Sequence, residues 1–132
     1  FNVNVHTNSS GTIMGGSGGH SDTAAGAKLA MVIAPLFRAR QPIITERVSC
    51  VSTPGRDIDV FVTQYGIAVN PKNEELRDRL IRAHLPIVSI EELKAKAESL
   101  CGVPKALEHG ERVVAKVIGR SGEVQDLIYC KK

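Results

Sequence analysis

Residues 57–71 read Asp57-Ile58-Asp59-Val60-Phe61-Val62-Thr63-Gln64-Tyr65-Gly66-Ile67-Ala68-Val69-Asn70-Pro71, and they decide the fold class. Apolar and polar positions alternate over 57–63: Ile58, Val60 and Val62 fall on one side, Asp57, Asp59 and Thr63 on the other. A period of two is that of a strand with one buried face. Gly66 interrupts the run and residues 67–69 resume it, which predicts a hairpin. Asn70 then offers a helix N-cap and Pro71 a first helical position. Leu76, Leu80 and Ala83 follow at helical spacing, with Glu75/Arg79 and Asp78/Arg82 as opposite charges four apart.

Outward from this stretch, strand and helix signals continue to mix. Ser89-Ile90-Glu91-Glu92 is a capping box for a second helix. Leu93, Ala97 and Leu100 are its expected buried side, and Gly102 and Pro104 its stop. Residues 112–118 and 123–129 are two strands joined by Gly119-Arg120-Ser121-Gly122. Upstream, residues 29–37 form an almost continuous apolar run, the pattern of a strand covered on both faces. Residues 42–51 are a further strand candidate, with Ile44 and Val48 facing the core, and Thr53-Pro54-Gly55 is a turn. Residues 1–7 alternate, and residues 12–14 are a short return strand across the turn residues 8–11. Ser21 or Asp22 is the expected cap of a short helix over 23–28. The sum is an α/β chain with a mixed sheet flanked by helices.

A length of 132 residues suits one domain, residues 1–132. Net charge is +3 with no basic block, and aromatics are 4% with no Trp, so neither a nucleic-acid footprint nor a base-stacking platform is indicated. No apolar run of membrane-spanning length occurs. Cys50, Cys101 and Cys130 are widely spaced, without a CxxC pair. Free thiols in a reducing cytoplasm are the reading, with no signal peptide and no metal site. The chain starts at Phe1, inside an expected strand, and reads as a piece of something longer.

The chemistry concentrates in residues 15–27, Gly-Gly-Ser-Gly-Gly-His-Ser-Asp-Thr-Ala-Ala-Gly-Ala. Only two charged side chains, Asp22 and Lys28, occur in the first 37 residues. Glycines allow close backbone approach to a ligand, and a following helix start offers free N–H groups to an anion. The pattern is neither a P-loop nor a dinucleotide fingerprint. It stands as a ligand loop or as a flexible hairpin loop. His20 is a general base or hydrogen-bond donor, or a turn residue. Asp22 caps the helix, orients His20 or contacts substrate. His6, His84 and His109 are read as incidental. Arg38, Arg40 and Arg47 follow the apolar run, where strand ends open into ligand crevices, and their forks suit polycarboxylates or phosphates. Glu46 beside them is a nucleophile candidate or the partner of an Arg.

Gly18-Gly19-His20-Ser21-Asp22-Thr23-Ala24-Ala25-Gly26-Ala27 resembles the signature loop of the citrate lyase alpha chain family. Further segments match in order: Ile33-Ala34-Pro35-Leu36, Glu46-Arg47-Val48, Thr53-Pro54-Gly55, Asp59-Val60-Phe61-Val62-Thr63, Gly66-Ile67-Ala68-Val69-Asn70-Pro71, Leu85-Pro86-Ile87 and Ile90-Glu91-Glu92-Leu93. The closing hairpin fits as well. The resemblance implies a CoA-transferase-like fold and an acyl exchange. Acetyl would leave the thiol of a CoA-like prosthetic group (phosphoribosyl-dephospho-CoA) on an acyl-carrier subunit, and citrate would take its place. It implies a mixed-anhydride route and a complex that includes a lyase subunit. Gly18, Gly19, His20 and Ser21 would hold the thioester arm, His20 and Asp22 would be catalytic, and Arg47 would anchor citrate. The family chain is several times longer, and the resemblance is to its C-terminal part. Nothing upstream of Gly18 matches the glutamate used by related CoA-transferases, so this piece is expected to be inactive alone. Two alternatives remain beside this reading: a CoA-transferase for another carboxylic acid, and a non-catalytic ligand-sensing or assembly module of the same fold.

Overall fold

A computed structural model describes all 132 residues, Phe1–Lys132. In chain order the elements are α1 (His20–Gly26), β1 (Met31–Ile33), β2 (Phe37–Arg38), β3 (Gln41–Pro42), β4 (Val60–Thr63), β5 (Gly66–Val69), α2 (Glu74–Arg82), β6 (Ile87–Val88), α3 (Ile90–Cys101), β7 (His109–Ile118) and β8 (Val124–Lys131). One 3-10 turn lies over Gly55–Asp57. The central sheet has the order β1-β4-β5-β6. β4 and β5 pair antiparallel, whereas β1 on β4 and β6 on β5 are parallel, so the sheet is mixed. β2–β3 and β7–β8 are separate antiparallel ribbons.

The hairpin predicted at Gly66 forms, and glycine is required there. Its φ is +145°, and a Cβ would lie 2.7 Å from Val88 Cγ2 and 3.3 Å from the Pro86 carbonyl oxygen. That close approach lets β6 pair beside β5. The core lies between this sheet and α3: Leu36, Phe61, Ala68, Leu93 and Ala97 are buried together, with Phe1, Val32, Phe37 and Ile44 packed against them. The capping box of α3 is present in full: Glu92 N–H donates to Ser89 Oγ at 3.0 Å, and Ser89 N–H donates to Glu92 Oε2 at 2.6 Å. Leu93 and Ala97 face inward as expected, but Leu100 is exposed, one turn beyond the sheet. A second cluster of Cys50, Val117 and Ile128 fastens the β7–β8 ribbon to the rest.

Several expectations are corrected. Residues 29–37 do not form one doubly covered strand. β1 keeps three residues at the sheet edge, and Ile33 is 75% exposed. Residues 42–51 are not a strand: β3 ends at Pro42, and one further bond, from Ile43 N–H to the Leu36 carbonyl oxygen at 3.0 Å, closes the ribbon. Residues 1–7 and 12–14 make only single bridges, Val3 to Thr53 and Thr7 to Ile13. α1 begins three residues before the expected helix. α2 begins at Glu74 after Asn73 rather than at Pro71. The Asn70 side chain is occupied elsewhere: its amide donates to the carbonyl oxygens of Gly55 and Ile58, both at 2.8 Å. Neither expected ion pair forms on α2, and none of its residues is buried.

Asp59, on the polar side of the alternation, is a clip. Its carboxylate accepts from Ala30 N–H at 2.8 Å and from the Asn73 amide at 2.6 Å, with Lys72 Nζ at 3.2 Å. Burial works against its charge, but these three donors outweigh it and hold the carboxyl below its ordinary value.

Candidate functional site

Residues 51–55 are an irregular segment tied down by many hydrogen bonds. Ser52 and Thr53 N–H both donate to the Val3 carbonyl oxygen, and Val3 N–H returns to the Thr53 carbonyl oxygen at 2.9 Å. From β8, the Gln125 amide donates to the Val51 and Ser52 carbonyl oxygens, and Asp126 accepts from Val51 N–H at 2.6 Å. The Ser52 hydroxyl accepts from Val5 N–H at 2.9 Å and His6 N–H at 3.2 Å and contacts His6 Nδ1. A hydroxyl has two lone pairs and one proton. Two backbone donors fill the lone pairs, so the proton goes to His6 Nδ1 and places the imidazole proton on Nε2.

Thr53 is fully buried, and its hydroxyl lies 2.7 Å from His20 Nδ1. His20 is the first residue of α1 and is half-buried. The loop before it is open: Gly15 and Gly18 have φ of +155° and +57°, and a Cβ at Gly15, Gly16 or Gly18 would meet nothing within 4 Å. The loop therefore offers bare backbone beside a fixed imidazole. Neither Ser21 nor Asp22 caps α1: the cap is Gly19, without a side-chain bond. Asp22 makes no hydrogen bond to His20. It is exposed and lies 3.9 Å from Arg120 in the β7–β8 turn.

Arg47 lies elsewhere. It lines a groove of about 550 Å³ with Arg56, Ser49, His109, Gln125 and Tyr129 among its walls. Asp126 also lines it, but both its oxygens already accept backbone N–H groups, from Val51 and Leu127. The glycine loop and this groove share the 51–54 segment and no wall residue. Arg38 and Arg40 are exposed at the β2–β3 turn and do not reach the groove. Glu46 pairs with Lys94 at 2.9 Å, not with an arginine, and the Glu46 and Glu98 carboxylates raise the Lys94 pKa. Cys50 is fully buried, and burial first, with Asp126 second, pushes its thiol up to about 11. It is therefore a poor nucleophile. Cys101 and Cys130 are free. No three His, Cys, Asp or Glu side chains converge as metal ligands do. No helix is long and apolar enough to cross a membrane.

Sequence alone singled out His20 within residues 15–27, read His6 as incidental and assigned no role to the side chains of Ser52, Thr53 and Gln125. A signal was present. Asn2, Asn4 and His6 form an uncharged polar row with period two, and all three bond to residues 49–55: Asn2 to Gly55 N–H, Asn4 to Ser49 and His6 to Ser52. A period-two row of amides and imidazole is what a strand hydrogen-bonded through its side chains to a neighbouring segment requires.

Comparison with known proteins accounts for the arrangement. The family model described as citrate lyase, alpha subunit (CitF), matches residues 1–130. The citrate lyase alpha chain of Klebsiella pneumoniae is 52% identical over 97% of this chain and 25% of its own length. Those of Haemophilus influenzae and Escherichia coli are each 46% identical over 98% of this chain, and over 26% and 25% of theirs. A crystal structure of a citrate lyase alpha subunit from Streptococcus mutans, in complex with citrate, superposes with a TM-score of 0.95 at 43% identity, covering 100% of this chain and 26% of that one. The chain thus spans about a quarter of the relatives it matches. The C-terminal placement expected from the resemblance is not borne out by these matches. The family, the α/β class and the mixed sheet are: the chain belongs to the citrate lyase alpha subunit family.

Proposed function

We propose that this chain is the part of a citrate lyase alpha subunit that presents the glycine loop and His20 to an acyl thioester, within a CoA-transferase-like fold. The reaction is citrate plus acetyl-carrier to citryl-carrier plus acetate. The acetyl carbon–sulfur bond breaks, a bond forms between the sulfur and a citrate carboxyl carbon, and one citrate carboxyl oxygen leaves in acetate. No net proton is consumed, and no oxidant or metal enters the balance.

The observation that carries this reading is the whole-chain superposition on a relative crystallised with citrate. The donor set suits the CoA-like group of a partner acyl-carrier subunit: open glycine backbone at Gly16 and Gly18, and N–H groups of Ser21 and Asp22 that take no acceptor within the chain. That group supplies the thiol that exchanges acyl partners. The chain's own residues bind and orient. The loop backbone would hold the arm, and His20 would donate a hydrogen bond to the acyl oxygen as negative charge develops there. The Arg47 groove, with Arg56 beside it, offers forks to carboxylates. Asp22 is a loop contact in this reading, since its charge faces Arg120.

The test uses the complete subunit with its carrier and lyase partners. Acetyl-carrier and citrate are mixed, and citryl thioester is followed by mass spectrometry. Product is expected from the wild type, and His20→Ala lowers its rate about a hundred-fold. Arg47→Ala raises the KM for citrate. Absence of citryl thioester from intact, acetylated complex overturns the reading, and preference for a monocarboxylate acid overturns the citrate assignment.

A further inference from the structure

We propose that Thr53 is the positioning residue of this site: its buried hydroxyl donates to His20 Nδ1 and so fixes the imidazole as the Nε2–H form. The inference rests on the reading of His20 as a donor to the acyl oxygen. Three observations converge on it.

The first is satisfaction of the hydroxyl. Thr53 is 0% exposed, and His20 Nδ1 at 2.7 Å is the single hydrogen-bond partner of its Oγ1. Were Nδ1 to carry the proton and donate to Oγ1, the threonine O–H would be left buried without an acceptor, a costly state. Donation from Oγ1 to Nδ1 satisfies both atoms.

The second is rigidity. Thr53 bonds Val3 through both its N–H and its carbonyl oxygen, and the preceding carbonyl oxygen is held by Gln125. The hydroxyl therefore stands in a fixed place relative to the sheet. The glycine loop leading to His20 has no such ties, and its only bond from the first helical residue is His20 N–H to the Ser17 carbonyl oxygen at 3.3 Å. Without Thr53 the ring would be held only by its own backbone. The neighbouring pair gives the internal control. Ser52 fixes His6 in the same tautomer by the same proton count, but its oxygen is filled by two backbone N–H groups, so that pair braces the segment.

The third is chemical fit. Exchange of an acyl group between a carboxylate and a thioester removes no proton from the attacking group. What it requires is a donor where the acyl oxygen gains charge. A neutral imidazole held through Nδ1 presents one such donor, Nε2–H.

The experiment uses the complete alpha subunit in its complex, with Thr53→Val, which keeps the shape and loses the donor, and Thr53→Ser, which keeps the hydroxyl. On protein labelled with 15N in histidine, His20 is expected as the Nε2–H tautomer in the wild type and as a mixture in Thr53→Val. The kcat for citryl thioester formation falls about ten-fold in Thr53→Val, the effect of one neutral hydrogen bond, with the citrate KM unchanged, and Thr53→Ser restores it. An Nδ1–H tautomer in the wild type overturns the proposal without any variant having to fold. So does wild-type kcat in Thr53→Val when His20→Ala is impaired. If His20→Ala is fully active, the role of His20 in the reaction falls instead, and the tautomer in the spectra still decides the Thr53 contact.

Discussion

Residues 15–19 and residues 51–55 are both short and irregular, yet they are held in opposite ways. The first is a run of glycines and one serine with open space above Gly15, Gly16 and Gly18. The second is tied by backbone, amide, carboxylate and hydroxyl bonds to residues 2–6, to β8 and to α1. One side-chain hydrogen bond links them, between Thr53 and His20, the residue that follows the glycine run. Ligand loops need backbone that a substrate can approach, which excludes side chains and tertiary ties. A reactive side chain needs a fixed position. Under the proposed function, a division of labour resolves that conflict: the loop stays bare, and the node beside it supplies the precision.

The contrast can be broken from the rigid side first. Ser52→Ala leaves Val5 N–H and His6 Nδ1 without their partner, while His6 N–H keeps the Asn4 side-chain oxygen at 3.1 Å. We expect a loss of about 2–3 kcal/mol, read as a drop in denaturant midpoint of the complete subunit at unchanged m-value. A loss within error would mean that water replaces the hydroxyl. Next comes the Asp59 clip, which can be titrated. Its folded carboxyl value is depressed, so its contribution is present in full above the ordinary carboxylate value. The contribution is lost as pH falls through the lower folded value. Asp59→Asn should therefore flatten the acid limb of the stability curve and leave its behaviour near neutrality without that slope. An unchanged acid limb would remove Asp59 from the account.

From the pliant side the effect is smaller. Gly18→Ala places a Cβ at φ +57°, with nothing nearby to clash. Backbone strain alone costs roughly 1 kcal/mol. The stability change should therefore be modest, while thioester formation falls by more than stability predicts. Equal effects on both would make the loop structural. The smallest change is Arg120→Ala. The Asp22–Arg120 pair is exposed and 3.9 Å apart, and such pairs contribute at most about 1 kcal/mol. A larger loss in the melting temperature would show that the β7–β8 turn braces α1.

Legibility in the sequence followed the range of the interactions. The capping box at Ser89, the β4–β5 hairpin at Gly66 and the β7–β8 hairpin are local devices, written within a few residues, and all were readable. The strands expected over 29–37 and 42–51 were not realised, because apolar content says that a segment is sheltered but not which neighbour shelters it. The helix start at Asn70 failed for a related reason: Asn70 had a better use, bonding across to Gly55 and Ile58. At the site, the glycine loop and His20 were visible because their composition is unusual. Thr53, Ser52, His6 and Gln125 were not, because each is ordinary by itself and becomes significant only through a partner between 33 and 74 positions away.

The sequence by itself determined the α/β class, the hairpin turns and the capping box of α3, the loop that carries His20 and the family to which that loop belongs. Those features depend on periods of two and 3.6 and on residue types within one turn or one hairpin. Only the tertiary structure decided that the apolar run ends as an exposed sheet edge, that Arg47 and His20 do not share a wall, and that a buried threonine holds the histidine. The reason is physical. A buried hydroxyl must satisfy its proton with whatever acceptor the fold brings to it, and that acceptor is chosen by packing across the chain rather than by neighbours along it.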